Sequence, residues 1–164
     1  MNNKDFILYV RNFIFGAEDS LVSTVSLLAG IISAGVSQGE VIISGIVLIF
    51  VEAFSMSVGS FLSERTTEEF YSNFRESKSK SIWAASIMFL SYLFSGFIPL
   101  FPYLIFIGSQ AFFWSIILSL ISLALLGFTS AKILKINILK STLRMAIVGG
   151  FAIILGIVVG ILIK

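Results

Sequence analysis

The chain has 164 residues, of which 57% are hydrophobic and 12% charged, with a formal net charge of +2 and a mean hydropathy of +1.04. A water-soluble domain of this size needs far more polar surface. Cys and His are both absent, which excludes disulfides, thiolate and imidazole metal sites, and every catalytic scheme built on those side chains.

The composition is that of an all-α, polytopic membrane protein. No Asp, Glu, Lys or Arg occurs from Ser81 to Ala131 or from Met145 to Ile163, while one helical span needs only ~20 apolar residues. The runs are continuous and do not alternate with polar lumen residues, so helices are expected and not a barrel. The chain opens with residues 6–13, which read either as an amphipathic lead-in at the interface, with Phe6, Val10 and Phe13 on one face, or as an extension of the first span. No removable signal is expected, because Arg11, Glu18 and Asp19 break the apolar stretch behind Lys4.

Five transmembrane helices in a single domain, residues 1–164, then follow in order. The first is expected at residues 13–36, the second at 41–62 and the third at 81–98. Pro99-Leu100-Phe101-Pro102 is expected to end the third in a very short loop, since two prolines remove donors and stop a helix. The fourth span is then 103–128 and the fifth 145–163. Counting Lys and Arg between spans orients the chain. Lys4 and Arg11, then Arg65, Arg75, Lys78 and Lys80, then Lys132, Lys135, Lys140 and Arg144 fall on one side, and the other side has Lys164 alone. The positive-inside rule makes the rich side cytoplasmic, with the amino terminus inside and the carboxyl terminus outside. The basic excess is thereby explained as topology, and no nucleic acid is implied.

Three carboxylates fall within these spans. Glu18 and Asp19 sit in the first and Glu52 in the second, where a charge at the bilayer centre costs ~2.5–3.5 kcal/mol even on the lenient insertion scale. Such residues usually face a pathway or a partner. Glu18 also reads as a first-turn acid at the interface, and Glu52 as a protonated acid bonded inside the bundle. Met56 lies four residues after Glu52 on the same helical face, and counting from the expected span ends puts it at the depth of Asp19. Ser20, Ser23 and Thr24 follow Asp19 and supply hydroxyls. First-row divalent ions accept carboxylate oxygen, and a thioether biases a site against Mg²⁺ and Ca²⁺. Without His, proton coupling has to run through Asp19, Glu52 or Glu18.

The sequence resembles a known family at this point. Phe15-Gly16-Ala17-Glu18-Asp19-Ser20-Leu21-Val22-Ser23-Thr24-Val25-Ser26-Leu27-Leu28-Ala29-Gly30 looks like the first-span motif of the vacuolar iron transporter family. Glu52-Ala53-Phe54-Ser55-Met56-Ser57-Val58-Gly59 resembles its second-span Ser-Met motif, and Phe97-Ile98-Pro99-Leu100-Phe101-Pro102-Tyr103 its Pro-Leu-x-Pro-Tyr turn. Residues 143–160 are similar to its Gly-containing last span. The resemblance implies a homodimeric exporter of Fe²⁺ or Mn²⁺ from the cytoplasm in exchange for protons, with Asp19 and Met56 at the family's metal positions. From its place in the second span Glu52 is expected deeper on the same path than Asp19 and Met56, as a proton or second metal site, with Glu18 as a further candidate metal ligand. Ser23, Thr24 and Ser60 are expected as polar lining. The chain departs from the family in two places. Ser60 stands where the family usually has Glu after the Ser-Met-x-x-Gly segment, and only residues 63–80 replace the long acidic metal-binding insert of the plant and fungal type. In that segment Glu64, Glu68, Glu69 and Glu76 read either as a remnant metal-collecting face or as an ordinary solvated helix.

The metal is expected as cargo, with no resident cofactor and no enzymatic activity. The expected location is integral to the cell (inner) membrane, and the expected partners are lipid, metal ions, protons and a second copy of the chain. Small residues at Ser26, Gly30 and Ala34 and at Gly156 and Gly160 suit close helix packing, between subunits or within one, and the family resemblance implies that the first span lies at the dimer interface. The other function classes compatible with the same carboxylates are a proton-coupled exporter of organic cations and a non-transporting membrane partner protein.

Overall fold

The uninterrupted apolar runs form five helices, α1 (Asn3–Ser33), α2 (Gln38–Ser72), α3 (Lys78–Ile105), α4 (Ser109–Leu134) and α5 (Ile138–Ile163), in a computed structural model that describes residues 3–72 and 78–164. Each helix is long and apolar enough to cross a membrane, and the described residues contain no strand. Backbone groups in hydrocarbon must be satisfied within the segment, which is why long apolar runs resolve into helices and nothing else. The chain is an integral membrane protein.

The order of packing follows from one helix. α1 touches all four others, whereas among the described residues α2 touches only α1 and α3, and does not reach α4 or α5. The face of α1 that packs inward carries Ala17, Leu21, Val25, Leu28 and Ala29, all buried, at the three- and four-residue spacing that puts side chains on one stripe. α2 and α5 flank α1 without meeting, and an apolar groove lined by Leu27, Gly30, Leu48, Ala152 and Leu155 is left between them. Close to this groove α1 and α5 pack through glycine. A Cβ on Gly30 would stand 2.8 Å from the Gly156 carbonyl oxygen, and Cβ atoms on Gly156 and Gly160 would run into the carbonyls of Ser26 and Gly30. The two small-residue stripes therefore meet each other inside one chain, a use within the subunit instead of the dimer contact expected of the first span.

Ends differ from the sequence expectation in three ways. The third helix does not stop at the prolines. It runs through Pro99 and Pro102, both buried, as a bundle tolerates where neighbouring helices pack on the backbone; Ser115 Oγ of α4 adds a hydrogen bond to the Pro99 carbonyl at 2.7 Å. The break comes at residues 106–108, where Gly108 takes φ 64°, a conformation that suits glycine. Gln38 holds that turn from α2, its Nε2 donating to the carbonyls of Tyr103 and Phe106 at 2.7 Å each and its Oε1 accepting from Gly108 N at 3.0 Å. α4 accordingly starts at Ser109 instead of 103. α2 runs ten residues past the expected end, to Ser72, and α5 begins at Ile138 instead of 145 because Asn137 caps it, accepting from Lys140 N at 3.0 Å. The lead-in is continuous with the first span; Phe6, Val10 and Phe13 do share a face, lining a shallow apolar groove with Ile87, Leu126 and Ile133. At the α1–α2 turn Gly35 has φ 88°, and Ser37 and Glu40 form half of a capping box, with Ser37 N and Oγ both donating to Glu40 Oε2 at 3.1 and 2.5 Å.

A candidate carboxylate site above a basic-end cleft

Contacts between helices fix the depth of each polar side chain. Ser20 Oγ donates to the Tyr92 carbonyl at 2.6 Å, and α1 and α3 run parallel, so residue 19 of α1 lies level with residue 91 of α3. Ser57 Oγ donates to the Ala85 carbonyl at 3.0 Å, and α2 and α3 run antiparallel, so residue 91 lies level with residue 51. Asp19 thus stands level with Glu52. Asp19 lies within electrostatic range of Glu52, and the hydroxyl of Tyr92 lies within range of both. That hydroxyl shares a 2.7 Å hydrogen bond with Ser23 Oγ, and Tyr92 is fully buried. Asp19, Glu52, Ser23 and Tyr92 form one polar cluster where α1, α2 and α3 meet.

Met56 is not at this depth. The same register puts it level with about residue 14 of α1, roughly one helical turn nearer the end of the bundle that carries the basic residues. Counting from span ends misplaced it because such a count assumes that the two ends lie level, whereas depth is set by the register between the helices. Met56 instead lines a cleft of about 820 Å³ with Phe15, Met88, Asn12, Ser60 and Glu64. At the mouth, the Arg11–Glu64 ion pair and a 2.5 Å hydrogen bond from Ser60 Oγ to Asn12 Oδ1 tie α1 to α2. Ser60 therefore lines the cleft as expected, though its hydroxyl is engaged by Asn12. Glu52 and Met56, one turn apart on α2, link the cleft to the carboxylates above it.

The remaining residues divide cleanly. Glu18 lies roughly four turns into α1, so it is no first-turn acid, and its side chain feels Arg144 of α5 as well as Asp19. It faces away from Glu52. Thr24 is fully buried and lies about 140° around the helix from Asp19 by the 100° step per residue, so it belongs to the core and not to the site. In the segment after the second span, Arg65 Nε pairs with Glu69 at 2.8 Å and Ser81 Oγ donates to Glu68 at 2.7 Å, as in an ordinary helix end; Glu76 lies outside the described residues. Among those residues no three acids converge on one point, so the cluster has two carboxylates and not a cage.

Tyr92 and Met88 were not legible as site residues. Each sits in an apolar run where an aromatic or a methionine signals packing, and only their spacing from the first-span contacts, seen in three dimensions, brings them to the route. In the comparison with known proteins, the VIT family model matches residues 10–83 and again 72–161, nearly the whole chain. No curated protein matches it.

Proposed function

We propose that this chain, which belongs to the vacuolar iron transporter family, moves a divalent transition metal, Fe²⁺ or Mn²⁺, out of the cytoplasm in exchange for protons. Its family is one of membrane metal-ion transporters, and the finer reading rests on the site. The single observation that carries it is that the register of α1, α2 and α3 sets Asp19 and Glu52 at one level above a cleft with a thioether at its inner end. Two carboxylates neutralise one divalent ion, which removes most of the cost of holding a charge in hydrocarbon. The same two groups, protonated, are neutral without metal. Exchange of two protons for one divalent ion then leaves the site uncharged in both states, and no resident cofactor is needed.

The basic end of the bundle faces the cytoplasm by the positive-inside rule, so the cleft opens to cytoplasmic metal. Met56 selects against Mg²⁺ on the way in. The ion reaches Asp19 and Glu52 when the Arg11–Glu64 and Asn12–Ser60 ties open, and such an exposed ion pair is worth only ~0–1 kcal/mol. A second copy of the chain fills the groove between α2 and α5. Asp19 and Ser23 share the α1 stripe that runs into that groove, and Leu48 and Glu52 share the α2 stripe, so the partner closes the carboxylate site on its open side. The membrane is the cell (inner) membrane.

Purified protein in proteoliposomes with an imposed pH gradient tests the reading. Fe²⁺ or Mn²⁺ flux should appear only with the gradient present. Flux of a lipophilic organic cation with no metal flux would replace this reading with cation export, and no flux of either would leave a membrane partner protein.

A further inference from the structure

The chain has four methionines and neither Cys nor His, so thioethers are its softest donors. Met145 is buried in an apolar cluster with Ala17, Leu21 and Leu123, where it is packing. Met56 and Met88 come from different helices and line one cleft. Ser57, next to Met56, hydrogen-bonds the carbonyl of Ala85, three residues before Met88; in antiparallel helices this sets the two methionines about two residues apart in depth, ~3 Å along the axis. Met88 is 3% exposed and leans on α1 at a glycine: a Cβ on Gly16 would meet its sulfur at 3.0 Å. Gly16 leaves the notch in which that sulfur sits. Phe15 lines the same cleft and offers a ring face that favours a cation.

We propose that Met56 and Met88 together form a binding site for a soft monovalent cation of the Cu⁺ or Ag⁺ type, one turn below the carboxylates. Neutral thioethers suit such ions and bind hard ions poorly, and a singly charged ion held by neutral sulfur needs no carboxylate. The site is therefore distinct from Asp19 and Glu52 and stands whether or not the chain carries iron.

Ag⁺ titrated into the purified full chain in detergent, with Mg²⁺ in excess, reads the site directly. The parental protein should bind Ag⁺ saturably. Met56→Leu and Met88→Leu should each weaken binding roughly tenfold or more, about 1.4 kcal/mol, while Met145→Leu binds as the parent does. Leucine conserves the volume of methionine, and X-ray absorption at the silver edge on the parental complex, where no variant has to fold, should show two sulfur neighbours. Parental affinity in Met88→Leu, equal loss in Met145→Leu, or fewer than two sulfur neighbours overturns the proposal.

Discussion

Replacing Gly156 by alanine probes the contact that joins α1 to α5, and a second glycine of the same helix provides the reference. Ala favours a helix over Gly by ~1 kcal/mol, so at Gly150, where an added Cβ meets nothing within 4 Å, Gly150→Ala should stabilise by up to about that amount. At Gly156 the same gain is offset, because the new Cβ collides with the backbone carbonyl of Ser26 and a backbone cannot turn aside as a side-chain tip can. Overpacking of this kind costs ~1–3 kcal/mol. Propensity cancels between the two variants, which should then differ by that ~1–3 kcal/mol, or about 2–12 °C in Tm for a chain of this length. Thermal unfolding of both in one mild detergent, followed by tryptophan fluorescence, measures the gap. Gly156→Ala melting with or above Gly150→Ala would refute the close α1–α5 approach.

Two further outcomes follow from the fold. Gln38→Leu removes three hydrogen bonds from the turn at residues 106–108, at ~0.5–1.5 kcal/mol each, and should lower stability by about 1.5–4.5 kcal/mol and raise hydrogen exchange at that turn; unchanged exchange would show that the glycine holds the turn unaided. Because the chain has no Cys, single cysteines report a dimer cleanly. Cys placed in turn at Leu27, Leu48 and Leu155, in the groove, should give an oxidative cross-link from at least one position, whereas Phe113→Cys on the outer face of α4 should give none; cross-linking from Phe113 alone would move the interface to α4.

Number and type of the helices were legible because charge-free runs longer than a bilayer have no other solution. Their ends were not. Pro99 and Pro102 are strong stop signals in water, but inside a bundle, buried against neighbouring helices, they leave the helix continuous. The real turn was marked by Gly108, and its support comes from Gln38, 70 residues away, which no local reading reaches. Asp19, Glu52 and Met56 were legible singly, since a charge in an apolar run announces itself. Their depths were not, because depth depends on register between helices, which Ser20–Tyr92 and Ser57–Ala85 set. The small-residue stripes at Ser26–Gly30 and Gly156–Gly160 marked close packing, but the expected partner, a second subunit at the first span, gives way to α5 of the same chain.

The central claim is that Asp19, paired with Glu52, holds the transported ion, while the adjacent Glu18 faces Arg144 and does not. Mn²⁺ flux driven by a pH gradient, measured in proteoliposomes for Asp19→Asn and Glu18→Gln at equal reconstitution, separates the two neighbours. The account predicts flux at background for Asp19→Asn and substantial flux for Glu18→Gln. Parental flux in Asp19→Asn, or loss confined to Glu18→Gln, would contradict it.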